Sequence, residues 1–207
     1  MDEPVASHQL TPKPRVGDHY LLLDHACGRC PSCEEGWTVW CEQPTAGQPL
    51  CWVPAEHSSS EVSSLLKAVS AFLSARVESK AVVLAIAPEG GVTILDGLTL
   101  VHSGPVLLAS DPRDPSVKSR LAGLNEAGRA DAVVSLLSGR DAVRAVKRGG
   151  TVCLPDTAVE MPTVTELAQR EVRLVGPRDL AELVKKVGRQ SVEQLFERKG
   201  ASSLPLR

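Results

Sequence analysis

The chain has 207 residues, of which 43% are hydrophobic, 23% charged and 3% aromatic, with a formal net charge of −2. That length suits one or two small domains with a real core, built here mostly from Val, Leu and Ala. The charge gives no electrostatic case for a nucleic acid or an anionic membrane, no apolar run reaches the ~18 residues of a membrane span, and the first residues, MDEPVASHQL, carry no signal-peptide core. The expectation is a cytoplasmic protein.

Residues 1–57 hold seven prolines, a short apolar strand candidate, HYLLL, and four of the six cysteines. The cysteines fall in CGRCPSCEEGWTVWC, at positions 27, 30, 33 and 41. In a reducing compartment such clustering favours a metal over disulfides. Four thiolates on one loop can close a tetrahedral zinc site with no position left for substrate, and Gly28 and Gly36 allow the turns that aim the sulfurs together. The competing readings are an iron–sulfur cluster and free or disulfide-bonded thiols. The ferredoxin motif shares C-x2-C-x2-C but continues with three residues and Cys-Pro, whereas seven residues intervene here. The expected metal ligands are Cys27, Cys30, Cys33 and Cys41, holding one structural zinc.

Residues 58–80 read as a linker followed by a helix. Ser58–Ser60 offer an N-cap, and Val62, Leu65, Leu66, Val69, Phe72 and Leu73 recur at helical spacing. From 81 onward, mostly continuous apolar runs at 81–87, 106–110, 132–137, 151–155 and 172–176 alternate with helical patterns at 115–127, 139–147 and 178–187. Runs without alternation suit strands covered on both faces, and the βα order predicts an α/β domain with a doubly wound parallel sheet. One stretch is ambiguous: VTILDGLTLV (92–101) places Asp96-Gly97 between apolar runs, a hairpin signal, where the βα order asks for a helix.

GDHYLLLDHACGRCPSCEEGWTVWC resembles the structural-zinc lobe of the zinc-dependent medium-chain alcohol dehydrogenases, matching at Gly17, Asp18, Cys27, Gly28, Cys30, Cys33, Gly36 and Cys41. WVPAE (52–56) is similar to the strand that closes the family's GroES-like domain. Residues 128–155, with Gly149-Gly150, resemble a late βαβ unit of its nucleotide domain, and 170–187 resemble its last strand and the helix after it. The resemblance implies a small GroES-like remnant with a four-cysteine zinc lobe (1–57), a connecting helix (58–80) and a reduced Rossmann-like domain (81–207). It also implies a homodimer or higher oligomer through the edge strand Glu171–Gly176.

The departures from the family point away from catalysis. The catalytic-zinc Cys and His-Glu pair of the family lie upstream of anything in this chain, and the third ligand position falls near Lys67 or Ala68. His19, His25, His57 and His102 match no ligand position. In AIAPEGGV (85–92), aligned without gaps, Ile86 and Pro88 take the first two glycine positions of the dinucleotide fingerprint and only Gly91 survives. Asp111 stands where an acidic residue would meet an adenosine ribose, but SDPRDP also reads as a turn and helix cap. Gly91 and Asp111 are therefore the cofactor-binding candidates of a site expected not to take NAD(P). The 20 positions from Asp111 to Asp131 leave no room for another strand and helix. The same alignment puts the first nucleotide-domain helix at 91–103 and favours helix over hairpin there. Cys51 and Cys153 read as inert apolar residues, and Trp37, Trp40 and Trp52 as packing or interface residues.

The function expected is that of a truncated, zinc-binding, dehydrogenase-like protein without turnover, serving assembly or a partner protein. The alternatives are an NAD(P)-dependent oxidoreductase with a rebuilt site or one completed by a second subunit, and a redox or metal-responsive four-cysteine module.

Overall fold

The computed structural model describes residues 19–197 except 26, 28, 36–40, 42, 44, 54–56, 89–91, 156–159 and 179. Strands β1 (His19–His25) and β2 (Thr45–Val53) form an antiparallel pair whose register shifts twice. Between them lies the short α1 (Pro31–Glu34). Helix α2 (Ser59–Ala75) leads into an alternating series: β3 (Val83–Ile86), α3 (Val92–Thr99), β4 (Val106–Ala109), α4 (Pro115–Leu124), β5 (Ala130–Ser135), α5 (Gly139–Ala145), β6 (Val146–Cys153), α6 (Val164–Arg170), β7 (Arg173–Val175), α7 (Leu180–Val187) and α8 (Arg189–Glu197).

The five later strands make one parallel sheet in the order β4-β3-β5-β6-β7. Residues of α4 and α5 pack on one face with Leu84, Ile86, Val133 and Val152, and α6 adds Leu167 there. On the other face α2, α3, α7 and α8 cover Val83, Ala85, Val134 and Cys153. Alternate residues of each strand thus point into two separate cores, as a doubly wound sheet requires. The crossover from β3 to β4 runs through α3 on the second face, whereas those from β4, β5 and β6 run through helices on the first. The chain therefore reverses direction between β3 and β5. From β4 it returns straight to β5, and among the described residues no strand lies outside β4.

The segment with two sequence readings is helical: α3 covers Val92–Thr99. Gly97, which makes the hairpin plausible locally, is buried against α2. Helix α2 opens with the predicted cap. The Ser58 side chain accepts from the Glu61 amide, and the Glu61 carboxylate accepts from the Ser58 amide at 3.0 Å. The helix then buries Val62, Leu65, Leu66, Val69 and Phe72, the stripe visible in the sequence.

Other boundaries differ from the pattern reading. Strand β6 begins at Val146, not 151, because Ala130 pairs with Val146 and Ala132 with Thr151. The extra residues bulge out around Gly149, whose φ of +73° favours glycine. Helix α5 accordingly stops at Ala145. Cys51 and Val53 of β2 belong to the same core cluster as α2 and α8, which ties the small hairpin to the sheet domain. Among the described residues no helix is long and apolar enough to cross a membrane.

Candidate metal centre

The loop after β1 turns at Cys30, which precedes α1. Pro31 opens that helix with the fixed φ its first position favours. The amides of Cys33 and Glu34 donate to the Cys30 carbonyl at 2.9 and 3.0 Å. This single turn brings Sγ of Cys30 and Cys33 to 3.4 Å, and Sγ of Cys41 lies 3.9 Å from that of Cys30. The Cys27 amide donates to Sγ of Cys41 at 3.2 Å.

All four sulfurs, of Cys27, Cys30, Cys33 and Cys41, lie within 4.8 Å of one another. The four cysteines are free thiols, with Cys30 buried and the others half-buried. A tetrahedral site with Zn–S bonds of about 2.3 Å has sulfurs about 3.8 Å apart, between the two shortest separations just given. Four thiolates this close repel one another strongly unless a cation sits among them. The Cys27 amide aimed at the Cys41 sulfur lowers that thiol's pKa below its ordinary value, against the opposing effect of partial burial. The donor set fits a divalent, thiophilic ion such as zinc. An ion held by all four thiolates would have no open position for a substrate.

The other two cysteines lie apart from this group. Cys51 on β2 and Cys153 on β6 are 1% and 0% exposed. Burial pushes each thiol up to about 12, and Glu193 adds to the effect at Cys51.

The second candidate region is the carboxyl end of the sheet at the reversal between β3 and β5, where doubly wound proteins bind ligands. Strand β3 ends in Ile86-Ala87-Pro88. Ile86 and Ala87 are each 1% exposed, and the Ile86 carbonyl accepts from the Leu136 amide at 2.8 Å. Gly91 lies outside the described residues. Asp111, exposed just beyond β4, turns its carboxylate onto the Arg113 amide at 2.8 Å, the Asx turn of the cap reading. Asp114 then caps α4 by accepting from the Ser116 amide. The sequence missed Ser135. This buried hydroxyl accepts from the amides of Leu137 and Ser138 and donates to the Ser138 carbonyl, fixing the β5–α5 turn that faces Ile86. A serine ending an apolar run gave no signal of that role.

On α2, Lys67 is half-buried and Ala68 fully buried in the core. His102 is buried with Nε2 2.9 Å from the Ala81 carbonyl and its ring edge-on to Phe72. The His57 ring packs against Phe196. Neither joins a metal-binding group among the described residues. Trp37 and Trp40, and the side chain of Trp52, lie outside the described residues.

No protein-family model matches the chain, and no curated protein matches it either. Solved structures do. TADH, an alcohol dehydrogenase from Thermus sp. ATN1, superposes with a TM-score of 0.54 at 15% identity over 82% of this chain and 68% of that one. The chain has an alcohol-dehydrogenase fold. An alcohol dehydrogenase zinc-binding domain protein from Burkholderia ambifaria gives a TM-score of 0.50 at 14% identity, over 90% of this chain and 68% of that one. The alcohol dehydrogenase rspB from Escherichia coli CFT073, solved with NADH, gives 0.54 at 11% identity, over 81% and 64%. At these identities the likeness concerns the fold, and function rests on this chain's own residues.

Proposed function

We propose that this protein is a zinc-stabilised, dehydrogenase-fold protein without dehydrogenase turnover, acting in assembly or in binding a partner protein. The observation that carries the reading is the end of β3. A dinucleotide pyrophosphate needs glycine backbone approached from outside the strand end, and here Ile86 and Ala87 are packed in and Pro88 offers no amide. The buried Ala68 and the half-buried Lys67 at the third catalytic-ligand position support the same conclusion, since neither can replace a thiolate there. Zinc at Cys27, Cys30, Cys33 and Cys41 then orders the lobe between β1 and β2.

Assembly through β7 fits this role. Arg173–Val175 is the last strand of the sheet, and its outer edge can pair with a second copy across a two-fold axis. One observation favours a second reading, an oxidoreductase completed by another subunit: Asp111 stands exposed at the end of β4 beside the chain reversal.

The deciding experiment is a fluorescence titration of NADH and NADPH into the zinc-loaded protein, with turnover of alcohols and aldehydes measured alongside. We expect no saturable binding up to about 1 mM, a limit near −4 kcal/mol, and a dimer by light scattering. Micromolar cofactor binding would replace the first reading with the second.

A further inference from the structure

The lobe that carries the four thiols stands apart from both cores. None of the described residues between β1 and β2 belongs to either core cluster, and α1 buries no residue of its own. Cys30, just before α1, is 6% exposed yet joins neither cluster. A segment with so little apolar packing is ordered by what links its sulfurs.

The four sulfurs are not equivalent. Cys30 and Cys33 share one turn, closed by the Cys33 amide donating to the Cys30 carbonyl at 2.9 Å, and their Sγ atoms lie 3.4 Å apart. Such a turn keeps its first and fourth Cα atoms within about 7 Å. A disulfide spans Cα atoms about 4.4–6.8 Å apart, so side-chain rotation alone can join this pair. Cys27 and Cys41 instead come from the two ends of the loop, 14 positions apart.

Access also differs. Helix α1 lies at the surface, with Pro31, Glu34 and Glu35 exposed and Cys33 half-buried among them. Cys51 and Cys153, at 1% and 0% exposure, offer a small oxidant no such approach. An accessible thiol with a second thiol poised beside it is the arrangement that forms a disulfide on oxidation.

We propose that Cys30 and Cys33 form a redox latch for the lobe, which a hydroperoxide opens by joining them in a disulfide. The inference rests on the zinc reading above. The Cys33 sulfur attacks one peroxide oxygen and breaks the O–O bond, giving a sulfenic acid and one water. The Cys30 sulfur then attacks that sulfur, forming the S–S bond and releasing a second water. Two thiols and one hydrogen peroxide thus give one disulfide and two waters; where the thiols are ionised, the protons come from solvent. The sulfur pair gives up two electrons and the peroxide takes them. A disulfide sulfur is no longer a thiolate ligand, so only Cys27 and Cys41 remain to hold an ion, and the link that orders the lobe is lost. A dithiol reverses the step.

The test uses the full chain loaded with zinc, its metal content measured first. Hydrogen peroxide is added at about 1 mM, zinc release is followed with a chromogenic chelator, and sulfur linkages are mapped by mass spectrometry without reduction. The expected result is release of about one zinc per chain, in step with a Cys30–Cys33 disulfide, with Cys51 and Cys153 still reduced. Dithiothreitol with added zinc should restore the metal content. A chain that takes up no zinc at the outset overturns the metal reading and the latch with it. Zinc retained through the treatment, a disulfide at another pair, or release through irreversible sulfinic or sulfonic acid overturns the latch alone.

Discussion

The backbone of α3 at Gly97 lies so near α2 that a Cβ there would stand 2.9 Å from Cγ2 of Val69, with Leu65 Cδ1 at 3.9 Å. The residue that weakens α3 as an isolated helix is the one that lets it dock. Val at 97 should cost about 2 kcal/mol through overpacking. Urea unfolding of Gly97→Val should show that loss. Gly97→Ala should lose less, because the gain of up to about 1 kcal/mol in helix propensity offsets part of the clash.

Metal binding should depend on all four sulfurs. Cys41→Ser removes the acceptor of the Cys27 amide together with one ligand. Zinc per chain by plasma mass spectrometry is expected near one in the wild type and near zero in this variant. Acid should release the metal. The folded-state pKa of Cys41 is held below its ordinary 9.0, so its contribution is present above that ordinary value and lost as pH falls through the folded one. Metal competition adds protons to the same balance, since binding requires thiolates. A chelator assay from pH 8 to pH 5 should therefore show zinc loss rising on the acid side.

The two buried thiols should behave in the opposite way. Cys51 and Cys153 are pushed up to about 12, each first by burial. A raised folded-state pKa is neutral for stability below the ordinary thiol value and costs stability as pH climbs from there toward 12. The protein should lose stability in that alkaline window, and Cys153→Ala should lessen the loss. A thiol reagent applied to chelator-treated native protein should label four cysteines quickly, and Cys51 and Cys153 only after denaturant is added.

The capping box of α2 offers a small, graded test. Ser58→Ala removes the acceptor for the Glu61 amide and should cost about 1 kcal/mol. For a chain of this size that lowers Tm by roughly 2–4 °C, readable by circular dichroism. An unchanged Tm would mean that α2 is held by its packing alone.

Much of the architecture is legible in local patterns, because those patterns are consequences of burial. Strands β3 and β4 fall within unbroken apolar runs and β5 overlaps one, since a strand covered on both faces has no polar side. The stripe Val62 to Phe72 marks α2 for the same reason. Helices α6 and α8 were not anticipated: α6 buries no residue fully and its Val164 is 82% exposed, so its pattern carries little burial.

The sequence by itself picked out the four cysteines that could hold a metal, since spacing within fifteen residues leaves few ways to arrange four thiols. It also determined that positions 86 and 88 carry Ile and Pro where a dinucleotide fingerprint would need glycine, because a side chain on the backbone is a local fact. Tertiary structure alone decided the rest. Helix or hairpin at Gly97 depended on Val69, 28 positions earlier, and a close approach leaves no trace in propensity. The role of Ser135 depended on the turn it folds. Ser70 of α2 and Arg76 at its end line one groove with Lys185 and Lys186 of α7, more than a hundred residues on. Charges that far apart in sequence read as separate solvated surface until folding brings them to one place, where their fields add.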